Sequence, residues 1–359
     1  MIQHGLHSVS KSRIDCANKG DRNLDLLRTA AVLVVLVAHC LPKSPPQQAA
    51  GHYGVLMFFV HTALVLLLSL KRQMGAPGLT VRFYMQRVFR VYPLSVLCVL
   101  VTLAFRISWP DAVYTPRSGV SIMANLLLVQ NFLHERVSIS PPLWSLPFEL
   151  QMYAVLPAVF WILRKRGMFG AVCLAAGSMA LATIEALTNP FGGLFVTRFI
   201  PCFIGGAFAY CMYNWKRRLY WWLWPVVIAS LGLFYGINAQ IQTVPGDWAT
   251  CTALGLLVPM FREVPRGLLS KAAVLVARYS YGIYLSHAPL LWLCFQRLAI
   301  LPAAIRWAVF GALICITPVV LYHLIEEPTI RVGKALSFRM FPIDEVDTQA
   351  SAKHSLAAS

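Results

Sequence analysis

The feature that most constrains this chain is a series of long apolar runs separated by short polar and basic loops. Each run is about 17–25 residues long, enough for a helix that crosses the hydrocarbon core of a bilayer. The runs are 24–41, 52–70, 91–109, 145–163, 168–187, 194–213, 219–238, 246–261, 272–296 and 302–325. Only 13% of residues are charged, against roughly 25% in soluble domains. The sequence therefore predicts an all-α integral membrane protein with a single bundle of about ten transmembrane helices.

The distribution of charge predicts how these helices are oriented. With ten spans and a cytoplasmic N-terminus, most of the 31 lysines and arginines fall in cytoplasmic loops, as the positive-inside rule requires. A shorter apolar segment, 120–133, is too short to span comfortably, and we expect a re-entrant or interfacial position for it. We therefore expect a cytoplasmic N-terminal segment over 1–22, a transmembrane domain over 23–335 and a cytoplasmic, disordered tail over 336–359.

Composition also excludes several classes of partner. The net charge of +17 comes from short loops at helix ends, where membrane topology and anionic lipid headgroups account for it, so no nucleic-acid partner is expected. The nine cysteines have no metal-ligand spacing and lie mostly in apolar stretches. We expect no metal, and a lipid bilayer as the surroundings.

Two ionisable residues in the first run are candidates for a functional site. Arg28 and His39 are eleven positions apart, close to three helical turns and about 16 Å along the axis. They therefore project from nearly one face, and one long ligand could touch both. A plainer interpretation makes Arg28 a snorkelling anchor and His39 an interfacial histidine.

A carboxylate and a histidine lie in two other apolar runs. Glu149 falls about one turn into the fourth run, where it must find a partner or hold a proton. Trp144 and Ser145, just before it, fit an aromatic belt and a helix N-cap. In the ninth run, Tyr284 and His287 share a helix face, and the cost of burying an imidazole favours a pore or cavity lining.

Basic and acidic residues cluster at two helix ends. Arg82, Arg87 and Arg90 precede the third run; converging arginines can bind phosphate groups bidentately, and they can equally be ordinary cytoplasmic anchors. Glu326 and Glu327 close the tenth run, and we expect them to pair with basic loops.

Taken in order, seven of these segments resemble the acyltransferase 3 family of integral membrane O-acyltransferases. They are LDLLRTAAVLVVLVAHC, LMFFVHTALVLLL, RFYMQRVFRVYPL, LWSLPFELQMYAVLP, RFIPCFIGGAFA, SYGIYLSHAPLL and IEEP. The basic residue and histidine of the first helix are the most diagnostic element, followed by the Trp-Ser-Leu-x-x-Glu segment. The chain departs from the family in its second helix, where a usual Ser-Gly pair is replaced by Thr62 and Ala63.

The resemblance implies transfer of an acyl group, usually acetyl, from cytoplasmic acyl-CoA to a hydroxyl of a glycan or other cell-envelope or secreted acceptor. It implies a multi-pass protein of the bacterial cytoplasmic (inner) membrane. We expect His39 to act as general base, Glu149 to orient its imidazole and Arg28 to bind the donor or stabilise charge. The residues expected to contact acyl-CoA are Arg82, Arg87, Arg90, Tyr284 and His287.

Two other classes of function fit the same buried polar residues. A proton-coupled secondary transporter or flippase would use Arg28, His39, Glu149 and His287 as a substrate or proton pathway, without consuming acyl-CoA. A membrane sensor would use the histidines to report pH. For a transferase, a covalent acyl-histidine is an alternative to general-base catalysis with the same residues.

Overall fold

The computed structural model describes residues 21–108, 118–133, 138–188, 197–215, 217, 219–238 and 243–341. Within these ranges the protein is helical and has no strand beyond one isolated bridge between Leu219 and Phe261. The helices are α1 (Arg22–Cys40), α2 (Pro45–Arg72), α3 (Leu79–Ala104), α4 (Gly119–Leu126), α5 (Leu146–Thr188), α6 (Ile200–Met212), α7 (Leu223–Ile237), α8 (Val244–Leu257), α9 (Leu268–Trp292), α10 (Ala303–Leu321) and α11 (Glu327–Met340).

Several helical segments meet the length and composition of a membrane span. Five do so over the described residues: Arg22–Cys40, Pro45–Arg72, Leu79–Ala104, Pro141–Thr188 and Ala303–Met340. The apolar helices α6 and α7 have 13 and 15 residues, about 20 Å of helix, and are shorter than the spans expected over 194–213 and 219–238. The all-helical, multi-pass membrane architecture is confirmed, and every predicted span contains a helix.

A glycine breaks α5 where the sequence predicted a loop between two spans. Gly167 has φ +53° and ψ −133°, a conformation that costs glycine far less than other residues. The two halves of α5 therefore correspond to the predicted fourth and fifth spans. The segment 120–133 holds only the eight-residue α4 and a short 3₁₀ turn at Gln130–Phe132, so it is not an eleventh span. Its re-entrant or interfacial position stays a prediction.

Helix α2 lies at the centre of the bundle, and glycines let its neighbours approach closely. A Cβ on Gly206 of α6 would lie 2.5 Å from the carbonyl oxygen of Val60 in α2. Gly205 of α6 and Gly255 of α8 meet backbone to backbone, so a side chain on either would clash. Small residues at such contacts allow close van der Waals packing, the main source of helix association in lipid.

Three polar loops meet at one end of the bundle. At the start of α1, Arg22 pairs with Glu263 at 2.8 Å and Asp21 pairs with Arg217 at 2.5 Å. The side chain of Asn23 forms hydrogen bonds with the backbone of the loop after α8, the loop that also contains Glu263. All three loops were predicted to be cytoplasmic, and the structure places them together. Their orientation across the membrane stays a prediction.

The last helix extends beyond the boundary expected at residue 335. Helix α11 runs to Met340, and Phe341 lies against Gly78 at the start of α3. Gly78 has φ +64°, and a side chain there would collide with the Phe341 ring. Residues 1–20 and 342–359, expected to form the N-terminal segment and most of the tail, lie outside the described residues.

A substitution at the α6–α8 contact tests this packing. Gly205→Ala is expected to lower the stability of the protein by about 1–3 kcal/mol, because the added methyl group overpacks the backbone of α8. The control, Gly177→Ala in α5, places its methyl group in open space and is expected to be neutral or stabilising through helix propensity. Thermal unfolding in detergent would measure both, and equal midpoints would contradict the contact.

Candidate active site

A narrow cavity, here called the arginine cavity, lies between α1, α2, α3, α5 and α9. Its volume is about 80 Å³, space for a short stretch of a thin chain. Its polar lining consists of Arg28, His61, Thr62, Arg87, Arg90, Ser145, Glu149, Tyr153, Ser280, Tyr281 and Tyr284. The cavity therefore gathers three arginines and one carboxylate from three different helices, α1, α3 and α5.

Arg28 is held in place by the contact between α1 and α9. Its Nε donates to Ser280 Oγ at 2.5 Å, and the adjacent Thr29 donates to the carbonyl of Ala273 at 2.8 Å. Ser280 in turn donates to the carbonyl of Ala277, so its oxygen is oriented to accept from the guanidinium. The hydrogen bond to Ser280 holds the Arg28 side chain in the wall of the cavity, so it does not snorkel to the membrane surface.

Two of the three α3 arginines line the cavity. Arg90 lies 2.5 Å from Glu326, whose side chain is fully buried between α10 and α11. The two side chains form an ion pair. The Nε of Arg87 is buried with no hydrogen-bond partner among the described residues. Glu326 and Glu327 were expected to pair with basic loops. Both do pair with arginines, but these lie in helices: Arg90 in α3, and Arg331 in α11, 2.6 Å from Glu327.

Arg82 does not join the other two arginines. It is buried under α11, with its guanidinium carbon 4.3 Å from the centre of the Phe338 ring, and it lines neither cavity. This arrangement is a cation–π contact. The expectation that Arg82 lies with Arg87 and Arg90 is therefore corrected. Arg82 precedes Arg87 by five positions on α3, so its side chain points in another direction, toward α11.

Glu149 lies in the arginine cavity and accepts a hydrogen bond from Tyr153 one turn later. It does not line the cavity that contains His39. The expectation that Glu149 orients the His39 imidazole is therefore wrong. The sequence signal, a carboxylate in an apolar helix, identified a residue that lines a cavity. It did not identify Tyr153 as the hydrogen-bond partner of that carboxylate.

A second, wider cavity, here called the histidine cavity, opens at the other end of α1. It has a volume of about 740 Å³ and lies among α1, α2, α9 and the 3₁₀ turn at Pro141–Trp144. Its polar lining consists of His39, Lys43, Gln47, Gln48, His52, Trp144, Tyr284 and His287. His39 and His287 lie beside each other in its wall, with ring centroids 4.8 Å apart.

Backbone carbonyls fix which nitrogen of each imidazole is basic. His39 Nδ1 contacts the carbonyl oxygen of Val35 at 2.8 Å, and His287 Nδ1 contacts that of Tyr284 at 2.6 Å. A carbonyl can only accept, so Nδ1 carries the proton and Nε2 holds the lone pair in each neutral ring. The orienting role expected of Glu149 thus belongs to the backbone of α1.

Tyr284 and Val55 form the partition between the two cavities, since both residues line each of them. The Tyr284 hydroxyl bonds to Ser145 Oγ at 2.8 Å, and its ring meets Phe58 edge to face. Tyr284 was grouped with His287 at the donor site. The structure places both residues in the wall of the histidine cavity, and Tyr284 alone of the two also lines the arginine cavity.

Sequence reasoning missed a buried carboxylate that supports the histidine cavity. Asp247 of α8 contacts His52 Nε2 at 3.1 Å, accepts from Tyr235 at 2.6 Å and lies 3.6 Å from Arg198. His52 and Asp247 are 195 positions apart, so no local pattern joins them. The one available signal was an acidic residue near the start of an apolar run.

The comparison with known proteins agrees with this arrangement. A model of the acyltransferase 3 family, described as an acyltransferase domain, matches residues 21–323. Since that match covers most of the chain, the protein belongs to this family. Membership places it among the membrane O-acyltransferases in general. No curated protein and no solved structure matched the chain.

The buried Arg90–Glu326 contact can be tested against the exposed acid beside it. Glu326→Ala is expected to destabilise the protein by about 3 kcal/mol, because it leaves Arg90 without its counter-charge in a largely dry site. Glu327→Ala, next in the chain, removes pairs with the exposed side chains of Arg331 and His323 and should change the unfolding midpoint little. Similar losses in the two variants would show that the buried pair has no special role.

Proposed function

We propose that the protein transfers an acetyl group from cytoplasmic acyl-CoA to a hydroxyl of a glycan or other acceptor at the outer side of a bacterial cytoplasmic membrane. One observation carries the proposal: a cavity walled by arginines and a cavity walled by histidines adjoin at Tyr284 and Val55. The first suits an anionic donor, and the second holds basic nitrogens suited to activating a hydroxyl. Family membership supports the acyl-transfer part of this proposal.

The charges of the arginine cavity suit a donor that carries phosphates. Guanidinium groups bind phosphate through paired hydrogen bonds, and Arg90, with 23% of its side chain exposed, is reachable from outside the cavity. At about 80 Å³, the cavity admits a thin chain but not a nucleotide. The phosphates therefore stay at the Arg90 side while the pantetheine arm and its thioester advance toward Tyr284.

His39 is the proposed general base. Its Nε2 removes the proton of the acceptor hydroxyl as the oxygen attacks the thioester carbonyl carbon. The tetrahedral intermediate then expels the CoA thiolate, which takes that proton from the imidazolium. An ester and CoA thiol result, and His39 returns to its neutral form. The Val35 carbonyl keeps the basic nitrogen at Nε2 throughout.

Arg28 and Glu149 have a different role, because they lie far from His39. About 16 Å of helix separates Arg28 from His39, so the guanidinium cannot touch the same reacting carbon. Both residues line the arginine cavity and act on the donor: Arg28 attracts it, while the negative charge of Glu149 offsets part of the repulsion among the arginines when the site is empty. His287, 4.8 Å from His39, is the neighbour able to influence the reaction.

The same geometry permits a second chemical route. His39 Nε2 could attack the thioester itself, forming an acyl-histidine that the acceptor hydroxyl then cleaves. Acid-quenched protein incubated with radiolabelled acyl-CoA and no acceptor separates the routes, because only this one leaves label on the protein. A transporter, by contrast, would move substrate without releasing CoA thiol.

The role of His39 is tested by release of CoA thiol from acyl-CoA in the presence of a cell-envelope glycan extract. His39→Ala is expected to lower the rate at least 100-fold, the usual contribution of a general base. The control is His323→Ala, because His323 is half exposed at the end of α10. A His39→Ala protein with the wild-type rate would refute the mechanism, and no turnover by the wild-type protein would favour the transporter.

The split among the α3 arginines gives a prediction for the donor. Arg87→Gln is expected to raise the KM for acyl-CoA about 10-fold, since it removes a guanidinium from the cavity wall. Arg82→Gln, five residues earlier, loses its contact with Phe338, so it should lower thermal stability and leave the KM of the folded protein unchanged. Equal KM values in the two variants would place the donor elsewhere.

A further inference from the structure

The histidine cavity contains three side chains that can accept a hydrogen bond and that do not donate into it. Two of these acceptor atoms are buried without a partner among the described residues. A buried, unpaired acceptor costs about 1–3 kcal/mol, so its place in a cavity wall points to a ligand that supplies the missing donor.

His287 provides the first acceptor. Its Nδ1 proton is used by the carbonyl of Tyr284, and its Nε2 is buried with no partner among the described residues. The ring is almost wholly buried, and it lines the histidine cavity. Since no described residue donates to the lone pair on Nε2, a ligand in the cavity can supply the donor.

Gln47, in the first turn of α2, provides the second acceptor. Its side-chain Nε2 donates to the carbonyl oxygen of Ala38 at the end of α1. That contact fixes the orientation of the amide, since a carbonyl cannot donate. The other end, Oε1, is buried and unpaired within the described structure.

His52 provides the third acceptor, and Asp247 fixes its tautomer. The carboxylate lies 3.1 Å from His52 Nε2, so the neutral ring carries its proton there and its lone pair on Nδ1. Tyr235 and Arg198 hold Asp247 from behind. The imidazole stacks on Trp144 with an interplanar angle of 12°, which leaves little freedom to rotate.

We propose that Gln47, His52 and His287 form a subsite for an acceptor that carries several hydroxyl groups, such as a sugar or cyclitol. Each side chain receives a hydrogen bond from a different hydroxyl, while one further hydroxyl meets His39. A lipid alcohol with a single hydroxyl satisfies only one of these atoms. The inference rests on the proposed function for the chemistry, but binding at this subsite needs no acyl donor.

The chain offers a matched pair of variants for the test. Gln47 and Gln48 are neighbours that both line the cavity, but only Gln47 has a buried amide bonded to α1. Gln47→Leu and His52→Leu remove acceptors, and Gln48→Leu is the control. His52→Gln restores an acceptor oxygen, so it should retain more affinity than His52→Leu and guards against a loss caused by misfolding.

The experiment is a saturation-transfer NMR titration of purified protein, without acyl-CoA, using methyl hexosides and inositols, with 1-propanol for comparison. We expect at least one polyol to bind, with affinity lowered roughly 3- to 10-fold in Gln47→Leu and in His52→Leu and unchanged in Gln48→Leu. Affinity for 1-propanol should change less than affinity for the polyol.

Two results would overturn the subsite: binding of no polyol in the panel, or a Gln48→Leu loss as large as that of Gln47→Leu. Failure of the proposed function gives a different result. A protein that binds a polyol at these residues but consumes no acyl-CoA refutes acyl transfer and leaves the subsite standing. A protein that consumes acyl-CoA but binds no polyol refutes only the subsite.

Discussion

The structure depends on how it neutralises arginines inside an apolar bundle. A charged side chain is costly within a bilayer unless it contacts a partner or a polar cavity. In this protein Arg28, Arg87 and Arg90 all line the same polar cavity. Glu149 shares their cavity and Glu326 contacts Arg90, so within the described residues the arginines outnumber these acids by one. The helices α1, α2, α3, α5 and α9 converge on this group, and the excess positive charge predisposes it to bind an anion.

Helix α2 supplies one wall of the second cavity. Gly51 lines that cavity, and a Cβ there would lie 3.8 Å from Cε1 of His39, so the imidazole of α1 packs directly beside α2. The same helix carries Gln47, one turn before that glycine, and His52, directly after it. Close approach of helices, rather than any long loop, thus sets the width of the site, and reactive side chains sit on rigid elements as precise chemistry requires.

The sequence predicted this protein well where the signal was local. Apolar segments located every helix except α11, Gly167 broke α5 where a loop was expected, and the spacing of Arg28 and His39 identified two residues that line adjoining cavities. It could not divide the polar residues between those cavities, because Glu149 and His287 are placed by packing between helices. The His52–Asp247 contact was invisible for the same reason. Arg82 was wrongly grouped with Arg87 because the two are close in sequence. On a helix, residues five positions apart point in directions that differ by about 140°.

The partition at Tyr284 has a consequence for the membrane itself. A transferase whose donor and acceptor meet from opposite sides needs a passage through the bilayer, yet a permanently open passage would let protons run down the electrochemical gradient. In the structure the hydroxyl of Tyr284 is hydrogen-bonded to Ser145, its carbonyl accepts the His287 proton, and the residue stands between two separate cavities. If the proposed acyl donor separates Tyr284 from Ser145, the donor chain itself fills the opening between the two cavities. Catalysis then proceeds without letting protons leak across the membrane.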